Sequence, residues 1–214
     1  MPPDLRVYLV LDPALTSERS PLEIAEAALR GGITALQLRW KVGPLREMLR
    51  LGEALRDLCR RYGVPFLIND RVDVAMVLQA DGVHLGQEDL PPEAARQLLG
   101  PQAFIGVSAR TPEQARAAEA AGADYLGTGS VFPTISKVNP TLIGLNGLAA
   151  VICSTRLPVV AIGGVNPENA AACIRAGAAG VAVISAIAQA SDPEAAARAL
   201  RQAVDQALAE RGRR

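Results

Sequence analysis

The chain has 214 residues, of which 50% are hydrophobic and 21% are charged, and its formal net charge is +0. This length and composition predict one globular domain spanning residues 1–214 and exclude a disordered chain. A neutral charge and an aromatic content of only 3% argue against a partner nucleic acid, whose binding calls for a basic surface and stacking side chains.

Eight short apolar runs alternate along the chain with longer stretches of helical spacing. The runs predict strands over Arg6–Asp12, Thr34–Lys41, Pro65–Asp70, Asp81–Gly86, Phe104–Ala109, Asp124–Gly129, Pro158–Gly163 and Gly180–Ser185. Helices are predicted to begin near Ser20, Pro44, Arg71, Pro91, Thr111, Leu145, Pro167 and Asp192. The sequences Thr111-Pro, Asn166-Pro and Asp192-Pro each resemble a capping residue followed by proline at the first helical position.

The arrangement of these units predicts the fold class. The strands are nearly continuous in apolar residues, as at 159–162, which is typical of parallel strands covered on both faces. Eight regularly spaced strand–helix units predict an α/β fold, a single (β/α)8 TIM barrel. A doubly wound open sheet is the alternative, but it favours a Gly-x-Gly-x-x-Gly turn after an early strand, and the chain has none.

Cysteine usage and hydropathy bear on the compartment. Cys59, Cys153 and Cys173 fall in helical patterns and are expected to be reduced, buried thiols. No charged leader precedes an apolar run, and no uncharged apolar stretch approaches about 18 residues, so we expect a cytoplasmic protein with no membrane partner. A homodimer is compatible with the sequence, which does not fix the oligomeric state.

Lysine is rare in this chain. Only Lys41 and Lys137 occur among the 22 basic residues, and each follows a predicted strand rather than lying on a solvated helix face. An ammonium and a guanidinium are different binding groups. The two lysines are therefore candidate functional residues, and chance survival in an arginine-rich chain is the alternative. The cause of the arginine bias is not given by the sequence.

The second predicted strand places polar residues at alternate positions. Gln37, Arg39 and Lys41 share one side of it, and Leu38 and Trp40 face the other way. In a TIM barrel the active site lies at the carboxyl ends of the strands. A cationic pair there predicts an anionic ligand rich in phosphate, unless the pair is simply solvated at the barrel mouth.

Two carboxylates are predicted at neighbouring strand ends. Asp70 follows the third strand, just after Asn69, and Asp89 follows the fourth. Mg²⁺ is bound by one or two carboxylates together with waters and substrate phosphate oxygens. A diphosphate with Mg²⁺ would account for Arg39, Lys41 and both aspartates, and plain salt bridges are the other interpretation.

Strands six to eight predict a second anion site. Gly163, Gly164 and Ser185 follow the last two strands and precede helices, as in the phosphate sites common to such barrels. The single histidine, His84, has no candidate nucleophile marked beside it. It is expected to be a packed residue, and a direct role is the alternative.

Taken together, these motifs resemble the thiamine phosphate synthase family from about Thr34 to Ile187. The motifs are Gln37-Leu-Arg-Trp-Lys41, Ile68-Asn-Asp-Arg71, Ala80-Asp-Gly-Val-His-Leu-Gly-Gln-Glu-Asp89, Gly106-Val-Ser108, Thr134-Ile-Ser-Lys137, Ala161-Ile-Gly-Gly164 and Val183-Ile-Ser-Ala-Ile187. Ser136 stands where the family usually has threonine, Trp40 where an acidic residue is common, and Ser130 where proline is frequent.

The resemblance implies a transferase that joins a pyrimidine methyl diphosphate to a thiazole phosphate with Mg²⁺ as cofactor. It implies that Asp70 and Asp89 bind the metal and that Arg39, Lys41, Ser108 and Lys137 take part in catalysis. The residues implied to hold the pyrimidine diphosphate are Gln37, Leu38, Arg39, Trp40, Lys41, Asn69, Ser108 and Lys137. Those implied to hold the thiazole phosphate are Thr134, Ile135, Ser136, Gly164, Ile184 and Ser185.

Three other functions stay open at this point. A thiazole tautomerase related to this family would need an acid/base residue and could lack the residues for diphosphate. An isomerase or lyase on another phosphate-binding barrel would leave the paired aspartates unexplained. A regulator would bind thiamine phosphates without turnover.

Overall fold

The computed structural model describes residues 3–16, 19–134 and 141–213 and has a closed eight-stranded parallel barrel at its centre. Each strand pairs with its sequence neighbours, and the last strand closes the barrel on the first through the partners Tyr8 and Ala182. The predicted TIM barrel is confirmed. The strands are β1 Val7–Leu11, β2 Ala35–Leu38, β3 Phe66–Asn69, β4 Gly82–Leu85, β5 Phe104–Ser108, β6 Tyr125–Thr128, β7 Val159–Ile162 and β8 Gly180–Val183.

Helices surround the barrel and follow the strands in turn. They are α1 Pro21–Arg30, α2 Leu45–Tyr62, α3 Val72–Leu78, α4 Pro92–Leu99, α5 Pro112–Ala120, α6 Gly144–Ile152, α7 Ala170–Arg175, α8 Ser185–Ala188 and α9 Pro193–Arg211. The caps predicted for α5 and α9 are confirmed, because Thr111 accepts from the Gln114 N–H and Asp192 from the Ala195 N–H.

Two predictions on the last third of the chain need correction. The helix expected near Pro167 begins at Ala170, because the Asn166 side chain accepts from the N–H groups of Glu168 and Asn169 and forms a turn instead. The strand expected to run to Ser185 ends at Val183, and the short helix α8 begins at Ser185.

Alternation along the strands divides the core into two layers. One set of side chains, including Tyr8, Leu67 and Tyr125, fills the barrel interior. The other set packs between the barrel and the helices. Leu38 belongs to this outer layer and is fully buried, and Trp40 packs against it. Gln37, whose side chain bonds to Tyr8, belongs to the interior, as alternation predicts.

The cysteines are free, but only two of them are buried. Burial raises the pKa of Cys59 to about 12 and that of Cys173 to about 11. Cys153 is exposed, because it follows α6 instead of lying within it, so its predicted burial is wrong. In the part of the chain that the structure describes, no helix is both long enough and apolar enough to cross a bilayer.

Candidate active site

The charged pocket lies at the carboxyl ends of β2 to β5. It is lined by Arg39, Lys41, Asn69, Asp70, His84, Gly86, Gln87, Glu88, Asp89, Ser108 and Arg110. Both predicted cations have carboxylate partners: Arg39 pairs with Asp12 at the end of β1, and Lys41 pairs with Asp70. Asp12 is buried, so Arg39 is held tightly in place, whereas Lys41 is half exposed. Arg39 and Lys41 therefore each form a salt bridge, which was the other interpretation of these residues.

Asp70 has a backbone conformation that aspartate adopts only uncommonly. Its φ is 61°, in the left-handed region, and its N–H donates to the His84 carbonyl oxygen at 2.9 Å. This turn directs the chain out of β3 while the Asp70 carboxylate contacts Lys41. Backbone conformations of this kind are often found at functional sites.

The second carboxylate lies beside the first. Asp89 accepts from the Gly86 N–H at 2.6 Å. Its pKa is raised, first by burial and then by the neighbouring Asp70 carboxylate, although the Gly86 N–H and Lys41 act against the shift. A cation between two adjacent carboxylates relieves the repulsion between them. Across the described residues no third His, Cys, Asp or Glu joins them in a metal-binding group, and two carboxylates suffice for Mg²⁺ with a phosphate ligand.

The glycine pocket lies at the ends of β6 to β8. Its lining includes Arg110, Ser130, Thr134, Thr141, Ile162, Gly163, Gly164, Ile184 and Ser185. Gly163 and Gly164 have φ of 96° and 66°, a conformation that favours glycine. A Cβ at Gly164 would lie 2.3 Å from the Pro133 carbonyl oxygen. The absence of a side chain at Gly164 therefore lets this loop pack closely against the Phe132–Pro133 backbone at the rim of the pocket.

An inner pocket lies between these two, inside the barrel mouth. Its lining combines apolar side chains from β7 and β8 with Tyr8, Gln37, Asn69, His84, Ser108 and Tyr125. His84 lies between the Tyr125 hydroxyl and the Ser108 hydroxyl, within hydrogen-bonding distance of both. The expectation that His84 is a packed residue fits this position, although the Ser108 hydroxyl lies beside its Nε2 atom.

The three pockets are contiguous. Ser108 lines the charged and inner pockets, and Ile184 lines the inner and glycine pockets. Arg110 lines both the charged and the glycine pockets. An apolar pocket with polar groups thus connects two sites suited to anions.

Most of the predicted site residues meet at this mouth. Gln37, Arg39, Lys41, Asn69, Asp70, Asp89, Ser108, Thr134, Gly164, Ile184 and Ser185 line one or more of the three pockets. The side chains of Leu38 and Trp40 pack on the outer layer, as alternation predicts, and their implied contacts with the pyrimidine diphosphate stay predictions. The predictions for Ile135, Ser136 and Lys137 lie outside the described residues.

Sequence reasoning missed four residues of the site. Alternation along β1 gave a signal for Tyr8 and Asp12, which share the inner face with Val10. Tyr125 begins β6 on the same inner face, and Arg110 follows β5 two residues after Ser108. None of them was singled out, because their importance comes from partners on other strands.

The comparisons with known proteins agree with this geometry. A family model described as thiamine monophosphate synthase matches residues 7–187. The chain belongs to that family. It is an enzyme of the transferase class that acts in thiamine biosynthesis.

Relatives in the thiamine monophosphate synthase family match almost the whole chain. A thiamine-phosphate synthase of Moorella thermoacetica is 52% identical over 206 residues, covering 96% of this chain and 98% of the relative. One from Pyrococcus furiosus is 46% identical over 204 residues, covering 95% and 97%.

Solved structures support the same assignment. A thiamine phosphate pyrophosphorylase from Pyrococcus furiosus superposes with a TM-score of 0.88 at 45% identity, covering 96% of this chain and 98% of the other. A 3-hexulose-6-phosphate synthase superposes with a TM-score of 0.67 at 20% identity, covering 93% and 99%. The second likeness shows the barrel fold alone.

Proposed function

We propose that the chain condenses 4-amino-2-methyl-5-hydroxymethylpyrimidine diphosphate with 4-methyl-5-(2-hydroxyethyl)thiazole phosphate, giving thiamine phosphate and diphosphate. The observation that supports this best is the contiguity of the three pockets. The charged pocket suits a diphosphate, the inner pocket a pyrimidine ring, and the glycine pocket the phosphate of the second substrate.

The chemistry requires one bond to break and one to form. The bond between the pyrimidine methylene carbon and the diphosphate oxygen breaks, and both electrons leave with the diphosphate. The thiazole nitrogen then donates its lone pair to that carbon. The aminopyrimidine ring can stabilise the intervening cation, so the reaction needs no nucleophile from the protein.

The residues of the charged pocket would stabilise the departing diphosphate. Arg39, fixed by Asp12, and Lys41, half exposed at the rim, direct positive charge to this pocket. Lys137 is proposed to add a third cation. Since negative charge on the diphosphate grows as the bond breaks, these groups stabilise the transition state more than the substrate.

Asp70 and Asp89 are the residues that would hold Mg²⁺, which when bound neutralises charge on the diphosphate. The raised pKa of Asp89 beside Asp70 supports this assignment, since a cation would relieve the repulsion between the two carboxylates.

The glycine pocket would hold the phosphate of the thiazole. Thr134 and Ser185 would contribute hydroxyls, and the loop of Gly163 and Gly164 would contribute backbone groups. Ile184 lies between this pocket and the inner one, where the thiazole ring would face the pyrimidine. The implied contacts of Ile135 and Ser136 belong to the same proposal. Holding both substrates in this way replaces a bimolecular encounter by a positioned reaction.

One assay tests this function. The purified protein, both substrates and Mg²⁺ are mixed, and thiamine phosphate and diphosphate are measured. We expect both products in equal amounts and their loss when EDTA is added. An absence of product would contradict the proposed reaction, and product that is insensitive to EDTA would contradict the role of Mg²⁺. No observation favours the tautomerase or the isomerase. Cytoplasmic location, a homodimer and the absence of nucleic-acid binding stay predictions.

A further inference from the structure

Five polar side chains inside the barrel form an unbroken series of hydrogen bonds, which we call the inner chain. The Gln37 amide nitrogen lies 2.7 Å from the Tyr8 hydroxyl, which lies 3.0 Å from the Tyr125 hydroxyl. Tyr125 lies 3.1 Å from His84 Nδ1, and His84 Nε2 lies 3.0 Å from Ser108 Oγ. The inner chain thus connects Gln37 with Ser108, two residues that line the inner pocket.

Two glycines in the strands make room for the inner chain. A Cβ at Gly106 would lie 2.1 Å from Tyr125 Cζ, and one at Gly127 would lie 2.8 Å from His84 Cε1. Glycine weakens a strand interior, so its presence there often marks a close approach. The barrel is therefore built to admit the Tyr125 and His84 rings at these positions.

The inner chain is buried from Gln37 to Tyr125. Gln37, Tyr8 and Tyr125 are each at most 3% exposed. Burial raises the pKa of Tyr8 to about 12 and that of Tyr125 well above its ordinary value. Both hydroxyls therefore keep their protons at neutral pH, and each can donate one hydrogen bond.

The orientation of the Gln37 carboxamide shows the direction of these bonds. A carboxamide is the member of the chain with separate donor and acceptor atoms. Because the Gln37 amide donates to Tyr8, the buried Tyr8 proton is satisfied by donating to Tyr125, and Tyr125 then donates to His84 Nδ1. His84 carries its proton on Nε2 and donates to Ser108. The Gln37 carbonyl oxygen is then the acceptor end of the chain, and the Ser108 hydroxyl proton is its donor end.

We infer that Tyr8, Tyr125 and His84 are positioning residues that fix the orientation of the Gln37 carboxamide. With the carboxamide in this orientation, the inner pocket selects a pyrimidine that bears an amino group over one that bears a carbonyl group. This inference rests on the proposed function, because it needs the pyrimidine ring in the inner pocket. If the carboxamide turned over, its NH₂ group would become the donor toward the ligand. The Gln37 carbonyl oxygen would then face the Tyr8 hydroxyl oxygen, and these two acceptors could form a hydrogen bond only if every bond of the inner chain reversed its direction.

The test compares the binding of two ligands to wild type and to Tyr8→Phe. The ligands are the 4-amino pyrimidine diphosphate and its 4-oxo counterpart, titrated calorimetrically with Mg²⁺ and without the thiazole substrate, so that no product forms. We expect wild type to bind the amino ligand at least about tenfold more tightly, the scale of one hydrogen bond gained or left unsatisfied. In Tyr8→Phe we expect this preference to fall at least about fivefold, since the carboxamide is free to turn.

A second variant and a control distinguish the loss of the Gln37 orientation from a general loss of packing in the core. Tyr125→Phe breaks the same chain farther from Gln37, so we expect a similar loss of preference. The double variant should lose little more, because both changes break one network. Leu67→Ala leaves a cavity in the same inner core but removes none of the hydrogen bonds of the inner chain. It should lower thermal stability while keeping the preference.

Each result decides one of the two proposals. The inner-chain inference alone would be overturned if wild type formed thiamine phosphate but showed no preference between the ligands. It would also be overturned if the phenylalanine variants kept the preference, or if Leu67→Ala lost the preference to the same extent. Wild type that forms no thiamine phosphate would overturn the proposed function itself.

Discussion

The two polar pockets at the barrel mouth handle anions in opposite ways. The charged pocket presents Arg39, which pairs with Asp12, Lys41, which pairs with Asp70, and the further carboxylate of Asp89. The glycine pocket presents hydroxyls and a loop in which Gly163 and Gly164 have positive φ. Apart from Arg110, which lines both pockets, one pocket depends on formal charge and the other on backbone and hydroxyl groups.

This difference matches the proposed roles of the two phosphate groups. The diphosphate gains charge as it leaves, so groups with full charge contribute most in the transition state. The thiazole phosphate keeps its charge throughout, so a fixed set of neutral donors is enough to hold it in place. Substitutions in the charged pocket should therefore lower kcat, whereas those in the glycine pocket should raise KM.

The largest expected effect is that of Asp70→Asn and Asp89→Asn. Removing either carboxylate weakens the proposed metal site, and we expect turnover to fall at least about 100-fold, as when a preorganised charge-stabilising group is lost. Initial rates at limiting and saturating Mg²⁺ measure this. Asp73→Asn is the control, since Asp73 is exposed and pairs with Arg71 away from the pocket. Full activity of either variant at limiting Mg²⁺ would show that the metal assignment is wrong.

Next in size is the change Lys137→Arg. An ammonium can follow a leaving group whose charge and position change, whereas a guanidinium fits one geometry. We expect turnover to fall at least about tenfold, roughly 1.4 kcal/mol. The measurement is kcat at saturating substrates, with Arg116→Lys, a change on the surface of α5, as the control. Wild-type turnover in Lys137→Arg would mean that this lysine survived by chance.

On the other side of the mouth, Gly164→Ala should act on KM for the thiazole phosphate. The new Cβ would displace the Pro133 carbonyl, and we expect KM to rise about tenfold, with kcat and KM for the pyrimidine substrate little changed. Gly144→Ala is a matched control, because Gly144 has the same φ of 66° but open space around its Cβ position. Equal effects of the two variants would show that backbone strain, and not the shape of the pocket, is responsible.

The smallest expected effect concerns stability. The pKa of Asp89 is raised in the folded state, so its ionised form opposes folding above that pKa, and this cost is relieved as pH falls through it. Without Mg²⁺, Asp89→Asn should therefore melt slightly higher than wild type near neutral pH, and the difference should shrink toward acidic pH. Thermal unfolding with EDTA at several pH values measures this. A variant that melts lower at every pH would contradict the repulsion between Asp70 and Asp89.

The sequence by itself determined the barrel and the side of each strand that carries polar groups. Strand alternation and helix caps such as Thr111 depend on residues that are close in sequence, so a single sequence is enough to predict them. The same local pattern placed Gln37, Arg39 and Lys41 at one mouth. It failed at Asn166, where a side-chain turn replaced the start of the helix.

Only the tertiary structure decided which side chains meet. Asp12 and Arg39 are 27 positions apart, and Tyr8 and Tyr125 are 117 apart. Barrel closure and strand register bring such residues together, and both depend on every strand at once. The partners of the site cations and the inner chain between Gln37 and Ser108 therefore became visible only in the folded molecule.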